Sequence, residues 1–189
     1  MKFCYTAPMS SIDIAAGAQA FGDGTHPTTA GVLAALEEID PAQFQPRIAC
    51  DMGAGSGILA MAVARQFACP VVAVELERAA VQTLRENAAE NGLGDAITAL
   101  HADGFDHPDI TARGPYDLMT MNILAEPLLR LAREAERHMA AEGLLILSGM
   151  LRWQEEQIRL AYQSLGLELA ARVQLGDWVT LCFQKPDNS

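Results

Sequence analysis

Apolar and polar positions along the chain follow two alternating periods. Short, nearly continuous apolar runs at Arg47–Met52, Val71–Glu75, Ala96–Ala102, Tyr116–Asn122 and Leu144–Ser148 predict buried strands. Between them, apolar residues recur every three or four positions, which predicts helices. These cover Thr28 to Glu38 (Val32, Leu33, Leu36, Ile39), Ile58–Phe67, Glu77–Asn91 (Ala80, Val81, Leu84, Ala88), Pro127–Ala140 (Leu128, Leu131, Ala135) and Arg152–Leu165. Asp40-Pro41, Asn91-Gly92, Glu142-Gly143 and Gly166 are stop signals at the helix ends. His107-Pro108 to Gly114-Pro115 reads as a crossover with one helical turn, and Leu167–Leu175 with Trp178–Gln184 as a hairpin about Gly176-Asp177. Strands alternating with helices predict an α/β fold around a mostly parallel sheet. Ile12-Asp13-Ile14 is a candidate edge strand in a first segment that is otherwise hard to classify.

Composition narrows the class. Half of the 189 residues are apolar and a fifth charged, as in an ordinary globular chain, and the length suits one domain over 1–189 with residues 1–20 as an N-terminal extension. A net charge of −11 argues against general nucleic-acid binding and favours a basic protein partner. Cys4, Cys50, Cys69 and Cys182 are widely spaced, so neither a metal site nor a disulfide framework is expected; Cys50 and Cys182 fall in strands and read as core. No membrane-length apolar run and no signal pattern is present, so a cytoplasmic location is expected.

The chemistry centres on Asp51-Met52-Gly53-Ala54-Gly55-Ser56-Gly57. A strand, a Gly-rich turn and a helix open a nucleotide-binding βαβ unit, with glycines that let the backbone approach a ligand. The spacing differs from G-x-G-x-x-G, and Asp51 would repel a phosphate, so a ligand bearing an amine or cation fits better. Glu75, at the next strand tip, is placed to grip ribose hydroxyls. Together these features resemble the class I S-adenosyl-L-methionine-dependent methyltransferases, whose cofactor carries a ribose, an ammonium and a sulfonium.

The loop Ala20-Phe21-Gly22-Asp23-Gly24-Thr25-His26-Pro27-Thr28-Thr29 crowds hydroxyls and glycines against a helix start. It either presents hydroxyls and N–H groups to a ligand carboxylate or caps its own helix, with Pro27 at the first position and His26 or Thr25 in the cap region. With Asp51–Ala60, Met121-Asn122-Ile123-Leu124-Ala125-Glu126-Pro127 and Leu147-Ser148-Gly149-Met150-Leu151, this loop resembles the catalytic domain of the ribosomal protein L-eleven methyltransferases. The four motifs stand in that family's order over residues 20–151. There are two departures. Asp23 replaces the family's usual Thr, and the chain starts just ahead of the catalytic domain, without the family's substrate-recognising N-terminal domain.

The resemblance implies a Rossmann-like class I methyltransferase fold, a mostly parallel seven-stranded sheet with an antiparallel C-terminal strand. It implies a cofactor site in which Asp51, Gly53 and Gly55 hold the methionine end and Thr25 to Thr29 close over it. Glu75 would hold the ribose and Asp103 the adenine, although Asp103 could equally cap a turn. Asn122, at a strand end on the carboxyl edge, would receive the target nitrogen as the catalytic residue and also contact the cofactor; the alternatives are a cap on the helix beginning near Glu126 or contact with the cofactor only. The acceptor implied is a protein lysine or α-amine, a ribosomal protein among the candidates, with no direct nucleic-acid or membrane partner. A small-molecule acceptor, another protein such as an electron-transfer flavoprotein subunit, and a non-catalytic cofactor-binding module with a partner are the rival readings. Trp153 and Trp178 could line a substrate mouth, with core or rim packing favoured.

Overall fold

The structure is a computed structural model and describes residues 26–187. The element order is α1 (Pro27–Glu37), β1 (Ala49–Met52), α2 (Ile58–Phe67), β2 (Val71–Glu75), α3 (Arg78–Glu90), β3 (Ile97–His101), α4 (Pro108–Arg113), β4 (Tyr116–Asn122), α5 (Ala125–His138), β5 (Met139–Leu151), α6 (Glu155–Gln163), β6 (Glu168–Leu175) and β7 (Trp178–Gln184). The strands form a seven-stranded sheet in the order β3-β2-β1-β4-β5-β7-β6. Strands β1 to β5 are parallel, and β7 runs antiparallel to both neighbours, so β6 points with the parallel set. This is the expected Rossmann-like class I methyltransferase arrangement. The chain winds outward from β1 to β3 and then returns to β4, which makes the β1–β4 boundary the switch point where such sheets bind ligands.

The apolar runs are continuous because helices cover both faces of the sheet. Period-two alternation splits each strand between two cores. Ala49, Val71, Ala73, Leu118 and Ile146 join Val32, Leu36, Met61 and Leu84 from α1 to α3. Cys50, Val72, Val74, Met119 and Leu147 join Leu128, Leu131, Ile158 and Tyr162 from α5 and α6. Both strand cysteines are buried, as their positions imply.

The structure corrects three expectations. Strand β5 is thirteen residues long and begins at Met139, where α5 delivers the chain directly into the sheet. Glu142-Gly143 does not end an element before the strand. The pairing with β4 jumps from Tyr116↔Met139 to Leu118↔Leu144, so the extra residues bulge with Glu142 at φ 59°. The predicted helix from Arg152 is divided into a 3-10 turn, Arg152–Gln154, and α6. Trp153 on that turn is 77% exposed, so it packs in neither core nor rim. The candidate strand at residues 12–14, and Cys4, lie outside the described residues.

Candidate functional site

Strand order lays the site out in a line. The carboxyl ends of β3, β2, β1, β4 and β5 and the amino end of antiparallel β7 share one sheet edge. Asp103, Glu75, Gly53 and Gly55, Asn122, Gly149 and Trp178 stand along that edge in the same order, and all line one cavity of ≈ 450 Å³. Residues far apart in sequence therefore converge because each lies at or just beyond the end of a strand on that edge.

The turn after β1 is fixed from outside. The N–H groups of Gly53 and Ala54 donate to the Val74 carbonyl at 2.8 and 3.0 Å. Gly55 N–H donates to Glu75 Oε2 at 2.9 Å, and Glu77 N–H to Oε1 at 3.0 Å. Glu75 is thereby held by backbone on both oxygens at the cavity wall, each keeping capacity for a further donor. Gly53 has φ +74°, and a Cβ there would lie 2.2 Å from Ile123 Cγ2, so glycine is required for both reasons.

Asp51 stands behind the turn and does not line the cavity. It is 1% exposed; Oδ1 accepts the Thr120 hydroxyl at 2.6 Å and Oδ2 the Ala60 N–H at 3.0 Å. Desolvation pushes its pKa up to about 6, against the lowering effect of those two hydrogen bonds, with Glu75 raising it further. From this position it ties β1 to β4 and to the start of α2, on either side of the glycine turn.

Helix α1 closes the middle of the cavity. Pro27 occupies its first turn, and His26 caps it, with Nδ1 accepting the Thr28 N–H at 3.4 Å. The capping alternative for this loop thus describes His26. Thr28 and Thr29 nevertheless also line the cavity, whereas Thr25 lies outside the described residues. The helix is seated by a buried polar chain in which Thr180 donates to Ser148 and Ser148 to the Thr28 carbonyl, both at 3.0 Å. Asn122 Nδ2 donates to Thr29 Oγ1 at 3.3 Å, so its amide is oriented by α1 and caps no helix N–H.

Four further residues line the cavity, and of these only Arg130 carries no sequence signal of a site role. Arg130 of α5 donates to Asp103 Oδ1 at 2.9 Å, with both side chains 56% exposed. Gly149, at φ +91°, lies so close to Ile123 that a Cβ would sit 2.1 Å from the Ile123 carbonyl oxygen. Trp178 and His26 meet edge to face, ring centroids 5.1 Å apart, at the β7 end. Trp178 therefore joins rim packing and cavity lining, the two roles weighed for it. Among the described residues no cluster of three His, Cys, Asp or Glu side chains could hold a metal ion. The arrangement suits an elongated ligand with hydroxyls at β2 and a compact polar end at β1.

Comparison with known proteins bears on the family and the fold. The family model for ribosomal protein L11 methyltransferase (PrmA) matches residues 7–186. A ribosomal protein L11 methyltransferase of Rhodopseudomonas palustris (strain BisB5) is 40% identical over 168 residues, covering 89% of this chain and 57% of the relative. The chain thus spans under three fifths of the length of such curated relatives. The crystal structure of a ribosomal protein L11 methylase from Lactobacillus delbrueckii subsp. bulgaricus superposes with TM-score 0.76 at 31% identity, covering 88% of this chain and 81% of that one. An RNA methyltransferase from Salinibacter ruber in complex with S-adenosyl-L-homocysteine shares the fold, with TM-score 0.61 at 19% identity over 84% and 92% of the two chains. The four sequence motifs, the strand order and the match along nearly the whole chain lead to one conclusion: this chain belongs to the ribosomal protein L11 methyltransferase family.

Proposed function

We propose that this chain, as a single catalytic domain, binds S-adenosyl-L-methionine along the carboxyl edge of the sheet and directs methyl transfer to an amine nitrogen of a protein. The observation that carries the proposal is the order Asp103, Glu75, Gly53–Gly55, Asn122 along one continuous cavity. The residues fit the cofactor. Glu75 offers fixed carboxylate oxygens for ribose hydroxyls, Asp103 offers an acceptor for the adenine amine, and Gly53, whose place only glycine can take against Ile123, lines the cavity where the methionine end would lie. The Salinibacter neighbour, crystallised with S-adenosyl-L-homocysteine on the same fold, is in keeping with this. When bound, S-adenosyl-L-methionine supplies a methyl group on a sulfonium, a good leaving group.

The chain's own contribution is positioning and desolvation. Asn122 accepts an N–H of the acceptor through Oδ1, because Nδ2 is committed to Thr29. A neutral amide suits this task, since a carboxylate would hold the amine in its protonated, non-nucleophilic form. Asp51, buried behind the loop, acts as a brace for it. A lysine or α-amine of a ribosomal protein, the substrate named for the relatives, is the acceptor we assign. No helix among the described residues is long and apolar enough to cross a membrane.

The test is methyl transfer from labelled S-adenosyl-L-methionine to purified ribosomal protein L11 and, in parallel, to cell extract. Label should appear in protein amines. Asn122→Ala should cut turnover roughly 10- to 100-fold while S-adenosyl-L-homocysteine affinity stays within about threefold. Label confined to small molecules would overturn the protein acceptor, and no label anywhere would favour a cofactor-binding module. A variant that loses affinity and not turnover would reassign Asn122 to the cofactor alone.

A further inference from the structure

The β3 end of the cavity is built by two elements that meet across it. The turn Asp103-Gly104 follows β3, and α5 comes from the far side of the switch point. They touch twice. Gly104 lies against Leu131, where a Cβ would come within 2.6 Å of Leu131 Cδ2. One residue earlier on each element, Arg130 Nη2 donates to Asp103 Oδ1 at 2.9 Å. All four residues line the cavity. Asp103 Oδ2 has no hydrogen-bond partner among the described residues. The guanidinium thus takes one oxygen and leaves the other as a free acceptor on a carboxylate that cannot swing away without breaking an ion pair.

We infer that Arg130 is a positioning residue for base recognition. By holding Asp103 it aims Oδ2 into the cavity and makes the site select a 6-amino purine over a 6-oxo purine. The inference rests on the cofactor site proposed above and adds a residue that acts through Asp103 without touching the reacting atoms. The chemistry is one of unequal alternatives. An exocyclic amine donates to the fixed carboxylate oxygen, whereas a 6-oxo group would set lone pairs against lone pairs and leave that acceptor unpaired against the bound base. The ion pair is exposed enough that its value to fold stability is small. Its effect should appear in selectivity.

The experiment is calorimetric titration of the whole chain with S-adenosyl-L-homocysteine and with S-inosyl-L-homocysteine, for wild type, Arg130→Met, Arg130→Lys and Asp103→Asn. Wild type should prefer the adenosyl ligand by roughly 100-fold. Arg130→Met should weaken the adenosyl ligand about tenfold, leave the inosyl ligand nearly unchanged and so compress the preference to about tenfold. Arg130→Lys, which keeps the charge but not the planar fork, should recover part of the preference. Asp103→Asn, whose amide can also donate, should compress it at least as far as Arg130→Met. Equal weakening of both ligands in Arg130→Met would mean a packing role only and would overturn the inference, as would an unchanged preference. Failure of wild type to bind either ligand would remove the cofactor site itself, and the inference with it.

Discussion

The carboxylate of Asp51 joins the end of β1 to Thr120 on β4 and to the first turn of α2 through Ala60. Burial makes this brace pH-dependent. Its pKa in the folded chain is raised to about 6, against about 3.9 for an aspartate in an unfolded chain. Between those values the folded state keeps a proton that the unfolded state has released. The group's stabilising contribution is therefore complete below about pH 4 and is lost as pH rises through about 6, on the order of 2–4 kcal/mol. Urea unfolding of wild type and Asp51→Asn across that range checks this. The wild-type-minus-variant stability should fall between about pH 4 and pH 6 and level off above, and a flat difference would contradict the account. At this scale the sequence was legible where a residue's position follows from a strand end, as for Glu75, Asp103 and Asn122. It was not legible where position depends on side chains meeting across the fold. Asp51 reads as a ligand contact from its motif, and only the fold shows its carboxylate engaged in two buried hydrogen bonds outside the cavity lining. Arg130, 27 positions from Asp103, gives no sign of the pairing.

At the scale of elements, the segment between β4 and α5 is wedged on both sides. Ile123 presses its Cγ2 against Gly53 from the β1 turn and its carbonyl against Gly149 in β5. Asn122, one residue away, takes its place from this wedge as well as from Thr29. Gly149→Ala would put a Cβ 2.1 Å from the Ile123 oxygen in a left-handed backbone at φ +91°. It should lower stability by about 1–3 kcal/mol and depress turnover more than cofactor affinity. Chemical denaturation and steady-state kinetics on the same preparation separate the two effects; retention of wild-type turnover would mean that the wedge does not position Asn122. Elements with sharp punctuation, such as α2 after its glycine turn and the β6–β7 hairpin about Gly176-Asp177, were readable to within a residue. Strand β5 was not, because Glu142-Gly143 signals a stop, yet the ladder to β4 resumes beyond the bulge. A turn signal fixes local backbone but cannot say whether the partner strand continues past it.

For the molecule as a whole, the doubly covered parallel sheet does more than bury apolar surface. Its strand order converts four motifs scattered over residues 26–151 into one line of groups, with the base end at β3, the proposed transfer point at β4 and the aromatic His26–Trp178 pair at β7. The net charge of −11 suits the basic protein acceptor proposed above. Everything proposed for the chemistry depends on the line being an S-adenosyl-L-methionine site. Calorimetric titration of the purified chain with S-adenosyl-L-homocysteine, with NAD run alongside, tests that most directly. The account predicts saturable one-site binding of S-adenosyl-L-homocysteine, stabilisation against unfolding by about 2.7 kcal/mol at 100 times the Kd, and no response to NAD. Equal binding of NAD, or no binding of S-adenosyl-L-homocysteine to a folded chain, would contradict it.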